Sequence, residues 1–151
     1  MIATEFLNET NIDSYLDYLK TSIIEDPENM TTDTCDEAGI RQRIKDPFYS
    51  GTKSILALED GNVIGRIEYH FYGCLQCGTK MCYVDFVFVS KMHRRKGADR
   101  LLFHAMENDC RKNGINQYYL IRSTEQEADR FYKSFKDSSL DDEPLLRKDI
   151  L

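Results

Sequence analysis

The chain has 151 residues, 41% of them apolar, with no Trp and three Pro. That is a common size for one domain and enough to bury a core without a disulfide or metal staple, so residues 1–151 are expected to form a single domain. Twenty Lys and Arg against 26 Asp and Glu give a formal charge of −6, which argues against a nucleic-acid binder, whose affinity needs many phosphate-neutralising cations.

No stretch approaches the roughly 20 apolar residues that span a bilayer; aliphatic and aromatic runs such as Phe86-Val87-Phe88-Val89 reach only four residues. Met1–Phe6 lacks a basic region followed by an apolar core, so no signal peptide is read and a cytoplasmic protein without membrane contact is expected. Five Cys, at 35, 74, 77, 82 and 110, suit reduced thiols rather than a disulfide framework.

In chain order, residues 2–7 read as a short strand. Thr10 to Asp13 resembles a capping box with Asp in place of Glu, and Ile12, Tyr15, Leu16, Leu19 and Ile23 then recur at helical spacing until Asp26-Pro27. Ile40 and Ile44 suggest a second helix that stops before Pro47. From Lys53 the period changes to two. Ser54–Glu59 and Val63–Tyr72 read as a hairpin turning at Asp60-Gly61-Asn62. In its second strand Gly65, Ile67, Tyr69 and Phe71 share one face and Arg66, Glu68 and His70 the other.

After a turn at Gly73–Lys80, Met81–Val89 is the strongest strand signal. Strict alternation puts Tyr83, Asp85, Val87 and Val89 on one side and Val84, Phe86 and Phe88 on the other. Being apolar on both faces, it belongs in the middle of a sheet. A basic loop, Lys91–Lys96, leads through Gly97 into a helix bearing Ala98, Leu101, Leu102, Ala105, Met106 and Cys110, which ends at Asn113-Gly114. Gln117–Arg122 reads as a strand, Thr124–Phe135 as a helix and Pro144–Asp149 as a last strand. The order β-α-α-β-β-β-α-β-α-β describes an α+β fold with a mixed central sheet flanked by helices.

The segment from Val87 to Ala98 carries the most chemical information: a buried strand runs into a cationic loop with a glycine, and a helix begins there. First-turn amides lack intrahelical partners and the helix dipole favours an anion. Arg94, Arg95 and Lys96 add positive potential, and Gly97 lets a bulky anion approach the backbone. The loop is therefore either a pyrophosphate cradle or a solvated basic turn.

Here the chain resembles the GNAT superfamily of acetyl-CoA-dependent N-acyltransferases. Val89 is followed five residues later by Arg94, and Arg94-Arg95-Lys96-Gly97-Ala98 follows the pattern Arg/Gln-x-x-Gly-x-Gly/Ala up to its last position. Some thirty residues on, Glu125-Gln126-Glu127-Ala128-Asp129-Arg130-Phe131-Tyr132 matches Asn-x-x-Ala-x-x-Phe/Leu-Tyr except at its first. The resemblance spans residues 50–150 and implies a GNAT-like fold and transfer of an acetyl group from acetyl-CoA, as co-substrate, to a primary amine of a small molecule or peptide. A homodimer is left open.

By the same resemblance Val87, Phe88 and Val89 would offer backbone groups to the pantetheine arm, and a main-chain amide near Phe88 would stabilise the oxyanion. Arg95, Lys96, Gly97, Ala98, Asp99 and Arg100 would surround the pyrophosphate, with Arg94 opening the motif and Glu125 on the cofactor side. Tyr132 would protonate the departing thiolate, being a neutral O–H donor at pH 7. Asp85 is the first choice for the base and Glu68 the second; the alternative for Asp85 is pairing with Arg66 or exposure to solvent.

Three departures stand out: Asp99 where the family has Gly or Ala, Glu125 in place of Asn, and Lys136-Asp137 after the Tyr-bearing helix instead of Gly-Phe. The first two favour the alternative of a non-catalytic acyl-CoA-binding sensor. His70, Cys74, Cys77 and Cys82 form H-x3-C-x2-C-x4-C, read as a thiol-bearing hairpin turn rather than a zinc knuckle.

Overall fold

The computed structural model describes residues 1–151. They form two compact units, Met1–Leu120 and Ile121–Leu151, taken separately below.

The first unit holds a five-stranded sheet in the order β1-β2-β3-β4-β5: β1 (Ile2–Phe6), β2 (Thr52–Glu59), β3 (Asn62–Gly73), β4 (Lys80–Val89) and β5 (Gln117–Leu120). The first four are antiparallel neighbours and β5 runs parallel to β4, so the sheet is mixed. The β2–β3 turn has positive φ at both Asp60 (52°) and Gly61 (79°), the geometry that matches the twist of a two-residue hairpin.

Helix α1 (Ile12–Glu25) lies on one face of this sheet, where Tyr15, Tyr18 and Leu19 join Leu56, Leu58, Val63 and Phe88 in one cluster. Helix α2 is Glu37–Arg43. Helix α3 (Ala98–Lys112) covers the other face: its Met106 sulfur lies 3.9 Å from the Cys82 thiol, and its Asp109 accepts the Tyr69 hydroxyl at 2.6 Å. Leu56, Ile67 and Leu102 have no solvent exposure; truncating one such side chain to Ala costs about 2–5 kcal/mol through the cavity it leaves. No helix is long and apolar enough to cross a membrane.

Several local expectations change. The capping box at Thr10 does not form: the Thr10 hydroxyl donates to Asn8 Oδ1 and Asn11 Oδ1 accepts from Asn8 N, so these side chains knit the preceding turn instead. In α2, Gly39, which weakens a helix on propensity alone, is what permits the cap. A Cβ there would stand 1.9 Å from the Asp36 Oδ2 of the carboxylate that accepts the Gly39 N–H at 3.0 Å. On α3, Leu101 is 40% exposed while Phe103 is buried, so the inward stripe is rotated from the expected one.

The second unit contains α4 (Gln126–Lys133). The expected strand at Pro144–Asp149 is absent: residues 134–151 form no strand or helix, and Leu145 and Leu146 are exposed. A strand exists only through a ladder with a neighbour, and a sequence with Asp141, Asp142 and Glu143 before it and Arg147, Lys148 and Asp149 within it has little apolar surface to dock.

Candidate active site

Strand β4 departs from strict alternation. Its pairing with β3 runs Val89↔Gly65, Phe88↔Arg66, Val87↔Ile67 and Phe86↔Glu68, then skips to Val84↔Tyr69 and Tyr83↔His70. Asp85 is the extra residue, a β-bulge that flips the face assignment on either side of it. Val87 and Val89 therefore share a face with Val84 and Cys82, and Phe86 and Phe88 with Tyr83 and Met81.

The expectation that Asp85 shares a face with Val87 and Val89 is corrected accordingly. Its Oδ2 lies 3.8 Å from His70 Nε2, on the face of β3 that also carries Arg66 and Glu68. One polar atom from each of Glu68, His70 and Asp85 lies within 4.8 Å of the others. Both expected base residues are thus brought together, and His70 joins them. Sequence reasoning had placed His70 on the Glu68 face but gave it no catalytic part; the i, i+2 spacing to Glu68 was the available signal.

Glu68 and Asp85 differ in setting. Glu68 Oε2 accepts from Arg66 Nη1 at 2.9 Å and lies 3.5 Å from Ser54 Oγ. Arg66 is itself buried, stacked 4.3 Å from the Phe86 ring centroid. The carboxylate of Glu68 is therefore committed to a buried cation, which also disfavours a metal ion at that oxygen. The Asp85 side chain is 49% exposed and is not paired with Arg66.

The outer edge of β4 is open where the bulge ends. The parallel ladder to β5 covers only Met81–Val84, so residues 85–89 have no strand on that side. Ser90 N donates to Ile64 O at 2.8 Å, which fixes the alternation. The Phe88 N–H faces β3, and those of Val87 and Val89 face the open edge. An amide donor near Phe88 thus means its two neighbours. Phe88 O also accepts the Tyr18 hydroxyl at 3.0 Å, which locks this part of the strand against α1.

Arg94 pins the loop that follows. Its Nε donates to Val89 O at 3.1 Å, its Nη2 pairs with Asp26 Oδ2, and its guanidinium lies 5.2 Å from the Phe88 ring centroid. Burial pushes the Asp26 carboxyl up, but hydrogen bonds from Asn29 and Arg94 outweigh it and hold the group below its ordinary value. Arg94 thus shapes the loop rather than standing ready for an anion, and Asp26, 68 residues away, left no signal in the sequence.

Arg95 and Gly97 both have positive φ, 63° and 85°, turning the backbone into α3. A Cβ on Gly97 would meet nothing within 4 Å, so the space before the helix is open. Leu101 N closes onto Gly97 O at 3.1 Å, and Arg100 N is taken by Asp99 Oδ1 at 2.8 Å. The amides of Ala98 and Asp99 precede the first intrahelical bond and point out of the turn. Lys96 leans toward Glu59, its Nζ 3.9 Å from Oε2.

In the second unit, Tyr132 lies on α4 in an aromatic group, its ring 5.3 Å from Phe131 and 5.7 Å from Phe135. Glu125 caps that helix without a side-chain hydrogen bond to it. The H-x3-C-x2-C-x4-C residues do not converge. Cys82 is buried opposite Phe71, on the face toward α3, whereas His70 pairs with Tyr83 on the other.

The family model for the acetyltransferase (GNAT) family matches residues 16–136. No curated protein matches the chain. Among solved structures, an aminoglycoside acetyltransferase from an uncultured soil metagenomic sample superposes with a TM-score of 0.80 at 14% identity, covering 99% of this chain and 96% of that one. The ribosomal-protein-alanine N-acetyltransferase of Brucella melitensis biovar Abortus 2308 gives 0.73 at 15% identity, covering 98% and 99%. A Trypanosoma brucei acetyltransferase gives 0.75 at 15% identity, covering 99% and 100%. At these identities the likeness is one of fold.

Proposed function

Because the chain belongs to the acetyltransferase (GNAT) family, we propose that it transfers an acetyl group from acetyl-CoA to a primary amine, with Asp85 as base and Tyr132 as acid. The observation that carries this reading is the meeting of Asp85, His70 and Glu68 at a bulge, beside a strand edge whose amides are open.

The residues present fit the co-substrate. The open turn at Gly97, the amides of Ala98 and Asp99, and the charges of Arg95 and Lys96 suit a pyrophosphate. The edge of β4 at Val87–Val89 suits an extended amide-bearing arm, which adds to a sheet as a strand does.

At neutral pH a primary amine is an ammonium ion without a lone pair. Asp85 takes its proton, directly or through one water, and His70, 3.8 Å away, passes it to solvent. Glu68, whose Oε2 is held by Arg66, offers its other oxygen as an acceptor for the N–H groups of the incoming amine. The freed amine attacks the thioester carbon. The Val87 or Val89 N–H receives the oxyanion that forms on the carbonyl oxygen. On collapse the carbon–sulfur bond breaks, and the Tyr132 hydroxyl protonates the thiolate. As the amide forms, the nitrogen gives up its second proton to Asp85, which has already released the first by way of His70; Tyr132 regains its proton from solvent, and one proton is released net.

The acceptor class is a cationic small molecule or peptide amine, in the cytoplasm. Release of CoA thiol is measured with acetyl-CoA and pools of aminoglycosides, diamines, amino acids and peptide N-termini, since the neighbours in fold include an aminoglycoside acetyltransferase and a ribosomal-protein-alanine N-acetyltransferase. Amine-dependent thiol release with a matching acetylated product supports the reading. Binding of acetyl-CoA with no release above background in any pool replaces it with the non-catalytic acyl-CoA-binding module.

A further inference from the structure

The hairpin tip between β3 and β4 carries two thiols that the proposed reaction does not use. Cys74 and Cys77 are both exposed, and the turn that bears them is closed twice: Gly78 N donates to Cys74 O at 2.8 Å and Cys74 N to Thr79 O at 2.9 Å. An i→i+4 closure is one turn of helix-like backbone, which sets side chains three residues apart about 5–6 Å from each other at Cβ. That is near the range in which a disulfide closes after a small adjustment.

The sulfurs already interact with the turn. Cys77 N donates to Cys74 Sγ at 3.5 Å, and Cys77 Sγ lies 3.0 Å from Thr79 Oγ1. Hydrogen bonding from Cys74 first, and from Thr79 next, brings the Cys77 thiol down to about 7. The remaining thiols are of another kind: Cys82, on β4, and Cys110, on the inner side of α3, are buried, and Cys35 is half-buried. The hydrogen bond to Cys110 first, and burial next, push Cys82 far up, and burial pushes Cys35 up.

We infer that Cys74 and Cys77 form a redox site, in which Cys77 attacks a small-molecule disulfide and Cys74 resolves the adduct to an intramolecular disulfide across the hairpin tip. The Cys77 thiolate, with Thr79 donating to it, attacks one sulfur of glutathione disulfide. The sulfur–sulfur bond breaks, and one glutathione leaves as a thiolate that takes up a proton. Cys74 then loses its proton and attacks the Cys77 sulfur, expelling the second glutathione. Two cysteine thiols are oxidised by two electrons and one disulfide is reduced to two thiols. The new bond lies within the turn, so the β3–β4 ladder need not move. A soft metal is a poorer occupant, because the group of three donors close enough to share an ion is Glu68, His70 and Asp85, which contains neither thiol.

The test incubates the full-length protein at pH 7 with graded ratios of oxidised to reduced glutathione, blocks free thiols by alkylation and maps tryptic peptides. The expected product is a disulfide inside the single peptide 67–80, with Cys35, Cys82 and Cys110 still alkylated. In Cys74→Ser, glutathione remains attached to Cys77; in Cys77→Ser, neither disulfide nor adduct accumulates at the wild-type rate. A lasting glutathione adduct on the wild type, equal reactivity of the two variants, prior loss of the other thiols or no oxidation at any ratio would each overturn the inference. None of these readouts depends on acetyl transfer.

Discussion

Asp85 and His70 face each other across the β3–β4 ladder, Oδ2 to Nε2 3.8 Å, because β4 has one residue more than β3 at that point. The bulge turns Asp85 toward Glu68 and away from Val87. It also coincides with the end of the β5 ladder at Val84, so the Asp85 carboxylate and the open amides of Val87 and Val89 are neighbours along one strand.

If Asp85 is the base, Asp85→Asn lowers turnover at pH 7 by about 10²–10⁴-fold, with little change in acetyl-CoA affinity. Activity should recover as pH rises toward about 10, near the ordinary value of an alkyl ammonium, because solvent then removes the proton. Glu68→Gln should act mainly on acceptor KM. A pH–rate profile for both variants decides the roles, and a larger turnover loss in Glu68→Gln would exchange them.

Tyr132→Phe removes the proposed acid while keeping the ring that packs with Phe131 and Phe135. Turnover should fall by roughly ten- to a thousandfold, with the Kd for CoA unchanged by calorimetry. Wild-type turnover in this variant would take Tyr132 out of the mechanism.

Asp99 sets a carboxylate at the entrance of α3 and takes the Arg100 N–H for itself. Asp99→Ala removes the charge and releases that donor, in a residue well suited to a helix. One exposed charge at contact distance is worth on the order of 1 kcal/mol, so CoA should bind about fivefold more tightly. Weaker binding in a titration would mean that the carboxylate organises the loop instead.

Asp26 ties the end of α1 to Arg94 and so to the loop before α3. Its carboxyl is held below the ordinary value of 3.8, so its contribution is fully present above that value and is lost as pH falls through the lower, folded one. Asp26→Asn should cost about 1–2 kcal/mol at pH 7, read from urea unfolding. The gap from wild type should narrow below about pH 4. A gap that persists unchanged at pH 3 would mean that the pair is not the source of the stabilisation.

The elements and the two motifs were legible along the chain because each rests on short-range signals. Period two from Lys53 announced β2 to β4, and the turn at Asp60-Gly61 needed only residues tolerant of positive φ. The run from Val89 through Gly97 to Ala98 marks the strand–loop–helix crossover by its residues alone. Glu68 and Asp85 were nameable as carboxylates on adjacent strands. Pro144–Asp149 misled because alternation describes what a strand looks like and cannot supply a neighbour for it to pair with.

What the linear order determined was the fold family, the glycine-bearing turn that opens α3 and the carboxylates on adjacent strands, since propensity, periodicity and spacing act over a few residues. Tertiary structure alone decided where β4 breaks step. Register is set by which residue of one strand pairs with which of the next, and a one-residue slip reverses every side chain beyond it. That slip brought His70 to Asp85, while the Ser90–Ile64 bond aims the Val87 and Val89 amides outward; separately, Arg94 meets Asp26 across 68 residues, a pairing that only the packed chain creates.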